Sequence, residues 1–183
     1  MPIIVVGGSG RNVGKTSLVC GLIAALPEYR WAAVKITSHV HGEREAVWEE
    51  TATGEGTDTA RFLAAGARRA FLVTAPEDDL PIAKMWDALG SERNVIFESN
   101  RMLNALEPDL CIGVIGGSGS ETKPSFEPFL QRADALVIGQ DGNAGGLQLP
   151  TSARLLRLSD FERVSPEMLD WLRVRLGPPR NAK

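Results

Sequence analysis

Short runs of β-branched and other apolar residues alternate along this chain with segments in which apolar residues recur every three or four positions. The run at residues 3–6 is typical of a strand buried on both faces. Residues 15–26 have helical spacing of apolar positions, and Pro27 ends that helix. Further strands are predicted at 31–36, 70–74, 94–97, 110–115, 135–138 and 155–158. Further helices are predicted at 57–65, 79–89, 101–106, 125–132 and 166–176.

This alternation predicts the fold class. Strands that are joined through helices pair in parallel by right-handed crossovers, and helices then cover the sheet on both faces. We therefore expect an α/β protein with three layers, in which a mostly parallel sheet lies between two layers of helices. The length of 183 residues suits one domain, which we assign to residues 1–176. The polar end of the chain, residues 177–183, is expected to be disordered.

Composition narrows the choice of partners and compartment. The net charge is −3 and the sequence has no basic stripe, which argues against nucleic acid as a partner. The apolar runs are much shorter than the roughly 18 residues of a membrane-spanning helix, so no membrane is expected. Cys20 and Cys111 lie inside apolar runs and are expected to be buried free thiols, which suit a reducing compartment. We expect a cytoplasmic protein.

A glycine-rich stretch, VVGGSGRNVGKTSLV, joins the first strand to the first helix. In this setting Gly14, Lys15 and Thr16 match a P-loop, in which backbone N–H groups surround phosphate oxygens at the positive end of a helix. Lys15 would reach the terminal phosphates and the Thr16 hydroxyl would bind Mg²⁺, although Ser9 stands where the usual pattern has its first glycine. A tight turn that binds nothing is the alternative. The predicted binding residues of this loop are Gly10, Arg11, Asn12, Val13, Gly14, Lys15, Thr16 and Ser17.

A P-loop needs an acid on the metal side, normally at the end of a neighbouring strand. Glu98 closes the strand NVIFE and is the first candidate, because ligands gather at the carboxyl ends of parallel strands. Asp58 opens a helix and is the second candidate, with a simple helix-capping role as the alternative. Asp109 is expected to be a turn residue. We therefore assign Mg²⁺ binding to Thr16, Glu98 and Asp58, and catalytic roles to Lys15 and Glu98.

The segment 37–56 is long for a link between a strand and a helix, which favours a functional role. His39 and Lys35 are assigned to the rim of the nucleotide site, with an ordinary exposed position as the alternative for each. Glycines near both ends would allow the segment to move. The acids at 43, 45, 49 and 50 are expected to form the solvated face of a short helix that carries a substantially exposed Trp48.

The motifs GKTSL, VKITSHVH and GTDTARFLAAGA, followed by a strand that ends in Glu98, resemble the molybdopterin-guanine dinucleotide biosynthesis protein B family. The matching positions are Lys15, Thr16, Lys35, Thr37, His39, Asp58, Gly66 and Glu98. The resemblance implies an α/β fold, binding of GTP or a related nucleotide, homodimers, and service to the nucleotidyltransferase that joins a nucleotide to molybdopterin. An Asn-Lys-x-Asp guanine box is absent, so GTP and ATP both remain open. Later segments resemble the wider class that includes dethiobiotin synthetase and MinD-type ATPases.

These patterns together predict a protein that binds a nucleoside triphosphate with Mg²⁺ and hydrolyses it slowly, as an accessory in molybdenum-cofactor biosynthesis. A small-molecule kinase or ligase that resembles dethiobiotin synthetase is one alternative. A nucleotide-switched binding module is the other. A kinase would need only an acceptor molecule, whereas an accessory or a switch would respond to a protein partner.

Overall fold

The strand Ile3–Gly8 (β1) is buried at every position and lies inside the sheet. The computed structural model of the protein describes residues 2–38, 46–54, 56–76, 79–117, 122–144 and 146–179. In these ranges the other strands are β2 Ala32–Thr37, β3 Val47–Glu50, β4 Arg69–Thr74, β5 Val95–Glu98, β6 Leu110–Ile115, β7 Ala135–Gly139 and β8 Arg154–Leu158. Their order is β3-β4-β2-β5-β1-β6-β7-β8. Each neighbouring pair is parallel except β3 with β4.

Helices cover both faces of this sheet. Those in the described ranges are α1 Lys15–Ala25, α2 Asp58–Ala64, α3 Ile82–Leu89, α4 Phe126–Gln131 and α5 Pro166–Leu176, with 3₁₀ turns at Pro27–Tyr29 and Arg101–Asn104. Successive residues of a strand point to opposite faces of the sheet. Ile4 and Val6 therefore pack on the side of α1, α2 and α5, whereas Ile3 and Val5 pack on the side of α3 and α4. The predicted three-layer α/β fold is confirmed.

Most predicted elements are present with small shifts at their ends. Strand β6 and helix α5 have the predicted bounds. Helix α3 begins at Ile82 instead of 79, because Pro81 disfavours helical geometry in the residue before it. The predicted helix at 101–106 forms only a 3₁₀ turn. Cys20 and Cys111 are buried free thiols, and burial raises the pKa of each to about 11.

The segment before α2 differs from the predicted short helix. Residues 47–50 form β3, which pairs with β4, and Trp48 is half-buried where substantial exposure was expected. Glu49 forms a two-pronged ion pair with Arg69 at 2.6 and 2.7 Å. Glu50 was expected in solvent but is only 6% exposed. Pairing with β4 explains the difference, because an extended segment gains ladder hydrogen bonds whereas a short isolated helix is unstable.

Predictions were made for two segments that lie outside the described residues. One is 39–45, which contains His39 and His41, and the other is 180–183 at the end of the predicted disordered tail. Nearer the start of that tail, the Gly177 carbonyl accepts a hydrogen bond from the Tyr29 hydroxyl. The assignment of 1–176 to one domain stays a prediction. None of the helices in the described ranges has the length and apolar character needed to cross a membrane.

The packing of α1 on the sheet leads to a stability prediction. Leu22 is fully buried, so Leu22→Ala should lower the free energy of unfolding by about 2–5 kcal/mol through lost contacts and a residual cavity. Urea denaturation measures the change. Val174→Ala is the matched control on α5, because Val174 is 82% exposed and its truncation should change stability by less than about 0.5 kcal/mol. Equal effects of the two variants would contradict the described packing.

Candidate functional site

The loop between β1 and α1 presents the start of a helix to the carboxyl edge of the sheet. Gly14 immediately precedes α1 and has φ of 100°, a left-handed conformation that favours glycine. A Cβ at this position would lie 2.4 Å from the Phe161 ring, so space as well as backbone geometry requires glycine. As the N-cap residue of α1, Gly14 supplies no side-chain cap. The first N–H groups of a helix have no partner within it, and in a phosphate-binding loop they bind the anion.

The hydrogen bonds of Ser9 explain why serine stands where the P-loop pattern usually has its first glycine. Its N–H donates to the Val114 carbonyl at 2.9 Å, and its carbonyl accepts from the Lys123 N–H at 2.7 Å. Its hydroxyl accepts a hydrogen bond from the Gly116 N–H at 2.8 Å. The side chain is buried, with 2% exposure. Ser9 therefore attaches the beginning of the loop to the end of β6 through a contact that glycine could not make.

Lys15 lies along the inside of the loop. Its side chain crosses Gly8, where an added Cβ would come within 2.8 Å of the lysine stem, and its Nζ donates to the Gly10 carbonyl at 2.6 Å. Burial lowers the pKa of Lys15 to about 8. The charge of Glu98 opposes that shift, whereas the charges of Lys123 and Lys35 add to it. The ammonium group is thus partly desolvated and close to other cations, which is a setting that a bound anion would relieve.

Glu98 connects this loop to the neighbouring strand. The Thr16 hydroxyl donates to Glu98 Oε2 at 2.9 Å, and Lys35 Nζ donates to Glu98 Oε1 at 2.8 Å. Thr16 lies in the first turn of α1, Glu98 ends β5 next to β1, and Lys35 is in register with Glu98 on β2. The Glu98 side chain is 3% exposed. Adjacent parallel strands therefore bring together three polar residues that are far apart in sequence.

Asp58 completes the cluster from the start of α2. Its Oδ2 lies 2.5 Å from Lys35 Nζ. Burial opposes ionisation of Asp58, but the hydrogen bond from Lys35 and the charges of Lys35 and Arg61 lower its pKa overall. The simple capping role is filled by Thr57, whose hydroxyl accepts from the Ala60 N–H at 3.1 Å. The Asp58 carboxylate is instead directed into the cluster.

The pKa of Lys35 reflects this position between two acids. Burial alone would lower it, but the charges of Glu98 and Asp58 and the hydrogen bonds to both raise it overall. Lys35 therefore stays charged and balances one of the two negative charges of the carboxylate pair.

The donor set suits a hard cation. Carboxylate and hydroxyl oxygens of the kind found on Glu98, Asp58 and Thr16 are ligands that Mg²⁺ prefers. Among the described residues there is no group of three or more His, Cys, Asp or Glu side chains that could hold a metal ion. A Mg²⁺ ion here would therefore need further oxygens from phosphate and water, which is how such ions usually bind beside nucleotides.

The other predicted site residues are less informative. Val13 is buried and packs in the core beside α1, so its side chain anchors the loop and only its backbone can face a ligand. Arg11 and Asn12 are exposed at the loop surface. His39 lies outside the described residues. Asp109 accepts a hydrogen bond from the Ile3 N–H at 2.8 Å, at the opposite ends of β6 and β1 from the cluster.

Several residues around the loop had no signal in the sequence. Phe161 covers Gly14 from the link between β8 and α5, and its backbone lies close to Gly21 of α1. Arg61 of α2 donates to the Ser17 hydroxyl at 3.1 Å and to Glu162 Oε1 at 2.7 Å. These contacts join residues up to 147 positions apart, as Gly14 and Phe161 are, so no local pattern could reveal them.

A comparison with solved structures agrees with the described fold. LpxK from Aquifex aeolicus, whose crystal structure was solved in complex with ATP, superposes with a TM-score of 0.54 at 17% sequence identity. The match covers 86% of this chain and 53% of that chain, so this chain spans about half of the neighbour. The chain has an α/β P-loop NTPase fold. No protein-family model and no curated protein matches the sequence, so the resemblance to the molybdopterin-guanine dinucleotide biosynthesis protein B family stays a prediction.

The close approach of Phe161 to Gly14 leads to a second prediction. Gly14→Ala should destabilise the P-loop protein by more than Gly66→Ala. Both glycines have positive φ, which costs an alanine about 1–2 kcal/mol, but only at Gly14 would the methyl group meet a neighbouring side chain. Urea denaturation compares the two variants. Gly14→Ala should cost less stability in a Phe161→Ala background than in the wild type, and an equal cost in both backgrounds would show that the overlap is not the cause.

Proposed function

We propose that this P-loop protein binds a nucleoside triphosphate, GTP or ATP, together with Mg²⁺ and hydrolyses it slowly. The contact between Thr16 and Glu98 is the observation that carries the proposal, because it joins the start of the phosphate-binding helix to a buried acid on the adjacent strand. A glycine turn that bound nothing would have no need of a carboxylate at this position. The backbone from Gly10 to Ser17 would surround the phosphates.

The contacts within the cluster suggest which residues would bind the phosphates and which would bind the metal ion. Lys15 moves from the Gly10 carbonyl to the terminal phosphates, whose negative charge also counteracts the lowering of the Lys15 pKa. Thr16, Glu98 and Asp58 would hold Mg²⁺, which would supply positive charge beside the phosphates. With a divalent cation bound, the two acids would depend less on the charge of Lys35, and Lys35 would be free to turn toward the phosphates. Lys35 would then belong to the rim of the site, and His39, which the sequence assigns to the same rim, lies outside the described residues.

The proposed biological role is that of an accessory in molybdenum-cofactor nucleotide assembly, acting with a nucleotidyltransferase, in the cytoplasm and as a homodimer. Its support is the motif resemblance, together with the fact that Lys35, Asp58 and Glu98, which carry part of that resemblance, lie within one cluster. Turnover should then rise when the partner is added. Addition of small acceptor molecules alone should leave it unchanged.

A small-molecule kinase or ligase is the second candidate. The complex of the neighbour LpxK with ATP favours it, because enzymes of this class use a nucleoside triphosphate as the phosphoryl donor. Such an enzyme should turn over nucleotide when an acceptor is supplied, without a protein partner. The release of nucleoside diphosphate is measured after addition of the protein partner and, separately, after addition of an acceptor molecule. The addition that raises the release identifies the correct candidate.

Replacement of Lys15 tests nucleotide binding. At a nucleotide concentration of about 100 times the dissociation constant, Mg²⁺-nucleotide should stabilise the wild type by about 2.7 kcal/mol. For a chain of this size the thermal midpoint should rise by about 5–11 °C. Lys15→Ala should lose most of this shift, because it removes the charge that meets the phosphates. Lys84→Ala removes an exposed charge on α3 and should keep the full shift. Equal shifts in wild type and Lys15→Ala would contradict the assignment.

Replacement of Glu98 separates nucleotide binding from metal binding. Glu98→Gln keeps the shape of the side chain and removes its charge, so nucleotide should still bind in the absence of metal. The gain in nucleotide affinity on addition of Mg²⁺, and any hydrolysis, should fall sharply. Calorimetric titration of nucleotide with and without Mg²⁺ measures the nucleotide affinity in each condition. The exposed acid variant Glu107→Gln is the control. A Mg²⁺ dependence like that of the wild type would transfer the metal role to Asp58.

A further inference from the structure

A second buried carboxylate is joined to the start of α2 and takes no part in the mechanism described above. Glu50 ends β3, the strand at one edge of the sheet, and is 6% exposed. Its Oε1 accepts hydrogen bonds from the Thr51 and Ala52 N–H groups, both at 3.1 Å. Its Oε2 accepts from the Thr57 and Thr59 hydroxyls at 2.9 and 3.0 Å. A carboxylate has about four acceptor positions, so this one is fully used, and because all four partners are donors they favour its charged form.

The two threonines lie on either side of Asp58, the acid that α2 directs into the proposed metal site. The Thr57 hydroxyl gives its proton to Glu50, and its oxygen accepts from the Ala60 N–H at 3.1 Å. Thr59 is buried, with 2% exposure. Glu50 therefore holds the residue before Asp58 and the residue after it, which limits the positions that the Asp58 backbone can adopt.

The link between β3 and α2 supplies little packing of its own in its described part. Residues 51–53 are exposed, and a Cβ added at Gly54 or Gly56 would meet nothing within 4 Å. Packing within the link therefore cannot set the start of α2, whereas the hydrogen bonds of Glu50 can. Hydrogen bonds to an ionised acceptor are roughly twice as strong as those between neutral groups.

We propose that Glu50 is a positioning residue that raises the affinity of the site for Mg²⁺ by fixing the Asp58 carboxylate. The proposal rests on the nucleotide and Mg²⁺ binding proposed above, and it adds to that site a residue that contacts neither ligand. Residues that hold a metal-binding side chain in place typically change metal affinity by about 10–100-fold when they are replaced. Glu50 acts through two hydroxyls and the backbone of α2, so its effect should lie at the lower end of that range.

The test compares nucleotide affinity with and without Mg²⁺. Wild type, Glu50→Gln and Thr59→Val are titrated calorimetrically with ATP and with GTP in both conditions. The gain in affinity on addition of Mg²⁺ should fall about tenfold in Glu50→Gln, which loses the charge. It should fall about threefold in Thr59→Val, which loses one hydroxyl. The affinity in the absence of Mg²⁺ should stay within about twofold of wild type, which a general loss of structure would not allow.

Glu49→Gln is the matched control, because Glu49 is the neighbouring acid on β3 and pairs with Arg69 instead of the start of α2. It should gain affinity from Mg²⁺ like the wild type. The Asp58→Asn background shows whether the effect of Glu50 passes through Asp58. In that background Glu50→Gln should change the Mg²⁺ gain by less than about twofold, because the side chain that it positions no longer carries its charge.

Three results would overturn the proposal while leaving nucleotide binding intact. They are a wild-type Mg²⁺ gain in Glu50→Gln and Thr59→Val, equal losses of affinity with and without Mg²⁺, and an effect of Glu50→Gln that persists undiminished beside Asp58→Asn. If one of the two variants does not fold, the other decides. A wild-type protein that binds neither ATP nor GTP would instead overturn the proposed function, and the role of Glu50 with it.

Discussion

The burial of the Glu98 carboxylate is the constraint on which the site depends. A buried charge is costly unless it is paired and hydrogen-bonded. Here one oxygen accepts from Thr16 and the other from Lys35, so the acid, helix α1 and β2 are fixed relative to one another. Lys35 also pairs with Asp58 and so fixes the position of Asp58 relative to Glu98. The parallel register of β1, β5 and β2 makes the arrangement possible, because it aligns the carboxyl ends of three strands.

The loop between β1 and α1 is also fixed at both of its ends, and by residues outside the motif. Before the loop, the Asn100 side chain accepts from the Gly8 N–H at 2.7 Å and donates to the Gly8 carbonyl at 3.0 Å. Ser9 makes its own attachment to β6. After the loop, Phe161 packs on Gly14. A loop held in this way keeps its N–H groups oriented before a ligand arrives, which reduces the entropy lost on binding.

The sequence was most informative where structure is decided locally. The buried run of β1, the turn glycines and the apolar spacing of α1 each reflect constraints that act within a few residues, so both the fold class and the grouping of Thr16 with Glu98 could be anticipated. Local patterns failed at β3, where the acids of VWEE suggested a solvated helix but pairing with β4 decided the conformation. They also gave no sign of Phe161 or Lys123, since only the folded chain brings either residue to the loop.

The strand that the sequence analysis missed helps to set the position of Asp58. Glu50 ends β3, and its buried carboxylate accepts hydrogen bonds from the hydroxyls of Thr57 and Thr59 at 2.9 and 3.0 Å. Burial opposes ionisation of Glu50, but these bonds and those from the Thr51 and Ala52 N–H groups lower its pKa overall. Thr57 and Thr59 flank Asp58 in sequence. The charge on Glu50 therefore anchors the first turn of α2 to the edge of the sheet, and with it the carboxylate that meets Lys35.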